Sequence, residues 1–217
     1  MIDLSINPRP SLDELFLKHG TDKSSLGHNY VQYYEMFFER FRDQPINLLE
    51  IGVYGAASVR AWKDYFSKAN IYGVDLEYMP QHNSERLFMI QADQSKDEDL
   101  QRLCQVQYDL IVEDASHRSI DQIKTFEYLF PRCLNPGGIY VIEDLLCAYD
   151  ERWNKEANVI EWLKPLVGDV QMNGAVPGSR LNANKHDAIK LYPGNWKESM
   201  IHWVFIAMGI VFIKKMP

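Results

Sequence analysis

The residues best suited to chemistry stand at the ends of short apolar runs. Leu48-Leu49-Glu50-Ile51 runs into Gly52-Val53-Tyr54-Gly55, where two glycines let a backbone approach a ligand and the following helix offers free N–H groups. A plain tight turn accounts for the same spacing. Asp75 closes the next run, about 20 residues on, where an acid can bind ribose hydroxyls. Ala92-Asp93-Gln94 follows the third run and can meet an adenine. Three successive polar strand ends fit the rule that open α/β sheets bind ligands at strand carboxyl ends.

The next two runs also end in acids, Glu113-Asp114-Ala115-Ser116-His117 and Glu143-Asp144. Neighbouring strands would bring them together as an oxygen cluster that suits Mg²⁺ better than Zn²⁺, which prefers nitrogen and sulfur. Taken singly, Asp144 is also readable as a turn residue, Asp114 as a helix cap and His117 as a surface histidine. His117 lies three residues past Asp114, about one helical turn, which would let both face one pocket.

These positions need a scaffold, and the apolar patterning predicts one. Ser11 caps a short helix ended by His19-Gly20, a polar loop covers 21–29, and aromatics at 30, 33, 34, 37, 38 and 41 follow a helical period. Strands are expected at 46–51, 71–75, 87–91, 108–112 and 139–142, with helices at 56–66, 97–104 and 120–133 between them. Asn135-Pro136-Gly137-Gly138 breaks the chain before the last of these strands, and a short helix fits 158–163. Residues 168–184 read as a mobile loop, and 201–205 with 210–213 as a hairpin turning at Met208-Gly209. Strands alternating with helices imply a doubly covered, mostly parallel sheet of Rossmann-like α/β class, seven-stranded with the hairpin as its antiparallel element.

Composition narrows the function. The 217 residues suit one domain of ordinary size, divided here into a helical cap at 1–45 over the ligand site and the α/β domain at 46–217. A net charge of -7 gives no electrostatic footprint for nucleic acid or an anionic membrane. The longest uncharged run, 199–213, is too short to span a bilayer, and Met1 begins no signal-peptide pattern. Cys104, Cys133 and Cys147 are odd in number and lack Cys-x-x-Cys spacing, so thiols in a reducing cytoplasm are expected.

The run from His19-Gly20-Thr21-Asp22-Lys23 through Leu49-Glu50-Ile51-Gly52-Val53, Gly73-Val74-Asp75, Ala92-Asp93-Gln94-Ser95, Glu113-Asp114-Ala115-Ser116-His117 and Pro136-Gly137-Gly138 to Ile142-Glu143-Asp144 resembles the metal-dependent S-adenosylmethionine O-methyltransferases that modify sugars on macrolides and related natural products. The resemblance covers roughly residues 15–215; the Asp-x-x-His and Glu-Asp elements are its most specific part, and the glycine turn is generic to class I methyltransferases. It implies Asp114, Glu143 and Asp144 as Mg²⁺ ligands and His117 as base. It also implies that Thr21, Lys23, Glu50, Gly52, Gly55, Ser58, Asp75, Asp93, Gln94 and Glu113 surround S-adenosylmethionine.

The expected reaction moves a methyl group to a hydroxyl of a small molecule, a sugar or glycosylated natural product. A hard cation stabilises a developing alkoxide, histidine titrates near neutrality, and the sulfonium supplies the electrophile. Methylation of a phenol, catechol or polyketide hydroxyl, a cephalosporin-hydroxylase-like reaction and a non-catalytic cofactor-binding scaffold are the alternatives, and a homo-oligomer is left open. Thr21, Asp22, Lys23, His28 and Tyr30 resemble the family's N-terminal signature, which implies a fold over the cofactor, and a capped polar turn explains them almost equally well, while Trp153, Trp196 and Trp203 suit either an acceptor pocket or the core. His186, His202 and Tyr140 read as structural.

Overall fold

The structure, a computed structural model, describes residues 9–152, 154–166, 168, 170 and 200–217. Strands β1 (Asn47–Ile51), β2 (Asn70–Asp75), β3 (Leu87–Gln91), β4 (Tyr108–Glu113) and β5 (Leu134–Ile142) run parallel. The hairpin β6 (Ile201–Ala207) and β7 (Ile210–Lys215) adds the antiparallel edge through β7 on β5. The sheet order is β3-β2-β1-β4-β5-β7-β6, a class I methyltransferase arrangement. Strand order reverses between β1 and β4, so a crevice opens where both strands end.

The helices are α1 (Leu12–His19), α2 (Val31–Phe38), α3 (Ala57–Tyr65), α4 (Asp97–Leu103), α5 (Ser119–Cys133) and α6 (Val159–Leu163). Helix α1 begins at a capping box in which Ser11 and Glu14 satisfy each other's backbone N–H groups, and it ends at Gly20 with φ 79°. Side chains alternate along each strand, which divides the core in two. Leu48, Leu110, Val112 and Val141 meet α1, α2 and α3; Leu49, Ile51, Ile111 and Ile142 meet α4, α5 and α6. Phe16, Tyr34, Phe38 and Trp62 fill the first side, with Trp62 centred 4.8 Å from Phe16 and 5.0 Å from Tyr34. Phe16 and Phe38 are fully buried and contribute about 2 kcal/mol each.

The expected elements recur with two corrections. β5 begins at Leu134, directly after α5, and carries Asn135-Pro136-Gly137-Gly138 within it. A register shift between Tyr108 and Leu110 absorbs this segment, where the turn residues had suggested a break. Cys104 and Cys133, expected as thiols, form a disulfide: the C-terminal ends of α4 and α5 lie side by side with a Cα–Cα separation of 5.1 Å. Cysteine count and local spacing carry no information about two helix ends meeting through the fold. Cys147 remains free. Most of the loop expected at 168–184, together with Trp153, Trp196 and His186, lies outside the described residues. Trp203 packs against Phe37 at 5.0 Å and Tyr140 is fully buried, both in core positions. No helix among the described residues is long and apolar enough to cross a membrane.

Candidate active site

The β1–α3 turn is held from two sides. Gly52 has φ 88°, and a Cβ placed on it would lie 2.0 Å from the carbonyl oxygen of Asp114. Only glycine lets β1 leave the sheet so close to the end of β4. Asp75 then ties the turn down, its Oδ2 accepting N–H bonds from Val53 at 3.1 Å and Tyr54 at 2.9 Å. A cleft of about 320 Å³ opens beside this turn, lined among others by Gly52, Asp75, Asp93, Gln94 and Asp121. Asp93 folds back on the N–H and hydroxyl of Ser95, whereas the buried Gln94 donates to Ser116 Oγ at 2.9 Å and leaves its Oε1 without a partner among the described residues.

A second cleft of about 570 Å³ shares Gly52 and Asp75 with the first, and adds Thr21, Lys23, Tyr54, Gly55, Ser58, Asp114, His117 and Asp144. Here Asp114, His117 and Asp144 each offer one ligating atom, all within 4.8 Å of one another. His117 has φ 56° and Asp144 φ 53°. The left-handed region is uncommon outside glycine but is visited by His and Asp, and such residues gather where a site over-determines its backbone. The one-turn helical spacing expected for Asp114 and His117 is corrected here. Helix α5 starts only at Ser119, and it is the left-handed turn at His117 that directs its ring toward Asp144, with Nδ1 3.7 Å from Oδ2.

Strand alternation sends the remaining acids elsewhere. Glu50 and Glu143 lie on the α1–α3 side, where Lys23 reaches in from the loop before α2. Its Nζ makes a short contact with Asp114 Oδ2 and lies 3.0 Å from Glu143 Oε2 and 3.5 Å from Glu50 Oε1. Burial disfavours a charged lysine, yet the Asp114, Glu143 and Glu50 carboxylates override it and hold the ammonium well above the usual range. Glu143 also accepts from the hydroxyl of Tyr34, and Glu50 from Trp62 Nε1 at 2.8 Å.

Three of the acids expected at the site stand apart from the Asp114–His117–Asp144 cluster. Glu143 pairs with Lys23 and Tyr34; Glu50 is buried behind the turn; and Glu113 is buried on the α5 side, outside the lining of both clefts. Burial, and then the Asp114 charge, push the Glu113 carboxyl up to about 8. Two partners of Asp144 were expected from sequence over the cofactor or in a capped turn, with no pairing to Asp144. Tyr30 donates to its Oδ1 at 2.9 Å, and His28 Nδ1 stands 3.4 Å from the same atom. Their sequence signal is the resemblance of this segment to the family's N-terminal signature.

No family model matches the chain. It is 40% identical over 149 residues to the 8-demethyl-8-alpha-L-rhamnosyl tetracenomycin-C 2'-O-methyltransferase of Streptomyces olivaceus, a match covering 64% of this chain and 39% of that protein. It is 35% identical over 150 residues to the mycinamicin VI 2''-O-methyltransferase of Micromonospora griseorubida, covering 65% and 37%. The MycE methyltransferase from the mycinamycin biosynthetic pathway, solved in complex with Mg and SAH, superposes with a TM-score of 0.83 at 27% identity over 96% of this chain and 55% of that one. The chain is similar to these O-methyltransferases over part of their length. It spans well under half the length of these curated relatives, at 39% and 37%. The matched portion of MycE carries the same class I sheet that places Gly52, Asp75 and Asp114 around one crevice here.

Proposed function

We propose that the chain transfers a methyl group from S-adenosylmethionine to a hydroxyl of a sugar on a glycosylated natural product, with the help of Mg²⁺. One observation carries this reading: the Asp114–His117–Asp144 cluster opens into the same cleft as the glycine turn and Asp75. Cofactor and metal would therefore share one chamber. The partner in this reading is a small molecule, in keeping with a net charge of -7 that disfavours nucleic acid. The reading also retains the cytoplasm, a compartment whose reductants would open the Cys104–Cys133 bond that the structure forms; alkylating cysteines in intact cells checks this.

The residues present fit both groups. Gln94 Oε1, buried at the cleft wall and unpartnered among the described residues, can accept from an adenine amine, and Asp75 can accept from ribose hydroxyls. Two carboxylates with a nearby imidazole nitrogen make an oxygen-weighted donor set suited to a hard cation. Asp114 and Asp144 would hold the ion, and Glu143 would join them only if Lys23 withdrew. Bound there, Mg²⁺ would supply Lewis-acid polarisation of a hydroxyl, while the sulfonium would supply the electrophilic methyl. His117 would take the hydroxyl proton on its ring. Asp144 stands 3.7 Å from that ring, near enough to stabilise the cation it would become, and Tyr30 fixes Asp144 in turn. Gly20, Thr21 and Asp22, lining the same chamber, would cap the cofactor from the N-terminal side.

Titration calorimetry with S-adenosylhomocysteine tests the reading. The intact chain is expected to bind it, and Asp75→Ala to weaken binding at least tenfold, through lost ribose contacts and a loosened glycine turn. No binding, or tight binding of a dehydrogenase nucleotide instead, would end the proposal. A second expectation concerns the base. His117→Asn, which tolerates the left-handed backbone better than alanine, should keep cofactor and Mg²⁺ affinity while kcat falls about a hundred- to ten-thousandfold. An unchanged kcat would remove His117 from proton transfer; lost Mg²⁺ binding would make it a ligand.

A further inference from the structure

Lys23 belongs to two settings at once. Its side chain is 2% exposed and its ammonium touches Asp114, Glu143 and Glu50, an arrangement that satisfies a buried charge by surrounding it with opposite ones. Asp114 is the shared member, since its carboxylate pairs with Lys23 and also belongs to the cluster with His117 and Asp144. Four carboxylates, those of Glu50, Asp114, Glu143 and Asp144, thus converge on a region served by one buried lysine. Any divalent cation arriving at Asp114 meets a positive charge already bound to the same group. In partly buried surroundings such repulsion is screened far less than in water.

We infer that Lys23 is a resident counter-cation that lowers the divalent-cation affinity of the Asp114–His117–Asp144 cluster, holding the carboxylates together when the metal is absent. The inference rests on the metal site proposed above. It makes Lys23 a positioning residue, in place of the direct cofactor contact expected from the sequence. Its geometry supports this: Nζ is enclosed by three acids and faces the strand ends of β1, β4 and β5. A site restrained in this way fills only where the cation is abundant, as Mg²⁺ is in cells, and Glu143 becomes available whenever Lys23 moves aside.

The test is a titration of Mn²⁺, followed by its paramagnetic resonance signal, into metal-free wild type and Lys23→Met. S-adenosylhomocysteine binding is measured by calorimetry in the same samples. Lys23→Met is expected to bind Mn²⁺ at least tenfold more tightly, equivalent to about 1.4 kcal/mol, and to gain more thermal stability from it than wild type does. Its affinity for S-adenosylhomocysteine at saturating Mn²⁺ should stay within about twofold. Equal or weaker Mn²⁺ binding by the variant overturns the inference while leaving the metal site in place, and loss of S-adenosylhomocysteine affinity with unchanged Mn²⁺ affinity returns Lys23 to the cofactor. Mn²⁺ binding by neither protein overturns the metal reading itself. Should Lys23→Met fail to fold, Lys23→Met combined with Glu50→Gln removes one charge of each sign and keeps an acceptor for Trp62, and the same criteria apply to it.

Discussion

Gly52→Ala is expected to destabilise the protein by about 3–5 kcal/mol, combining the left-handed backbone cost with that of overpacking. The added Cβ would meet the Asp114 carbonyl oxygen at 2.0 Å and Ala115 Cα at 2.5 Å, both backbone atoms that cannot rotate away. The ends of β1 and β4 would have to separate, and both clefts are built on that junction. In thermal denaturation the midpoint should fall by roughly 10 °C, given about 2–4 °C per kcal/mol at this chain length. Gly20→Ala is the control, because Gly20 has a similar φ of 79° but no described residue within 4 Å of the added atom. It should lose only about 1–2 kcal/mol. Similar losses in the two variants would show that the close approach at Gly52 contributes nothing beyond backbone conformation.

Asp144→Asn should abolish turnover while leaving the fold in place. Asn keeps the shape of Asp and accepts the φ of 53° at this position, where alanine would add backbone strain to the lost charge. The amide oxygen can still accept the Tyr30 hydroxyl, so stability should change by no more than about 1 kcal/mol. Loss of one carboxylate from a site with two should remove several kcal/mol of stabilisation from the developing charge, a fall in kcat of about a thousandfold. Excess EDTA should reproduce the loss in wild type and added Mg²⁺ should reverse it. Full turnover in chelator would mean that Asp114 and Asp144 serve another purpose, and a variant that unfolds would assign Asp144 a structural one.

The fold was largely legible because each of its signals is local. Apolar runs of strand length, the aromatic period at 30–41 and the cap at Ser11 report the conformation of their own neighbourhoods, and the tertiary structure agrees with them. The strand-end acids were legible for the same reason, since a parallel sheet gathers the carboxyl ends of its strands at one edge. Partner choice was not. Period-two alternation distinguishes the face of Glu143 from that of Ile142, but it does not name what waits there. Lys23 finds Glu143 across 120 residues and Tyr34 finds it across 109, through a lysine stem and a tyrosine ring whose reach depends on how α1 and α2 settle against the sheet. The Cys104–Cys133 bond and the left-handed turn at His117 arise in the same way, from closure of the fold around positions whose own neighbours predicted a thiol and a helical turn. The sequence by itself determined which residues stand at the strand ends; only packing decided which of them pair with one another and which face the open cleft, because the energy of a buried charge depends on partners brought together by the whole chain.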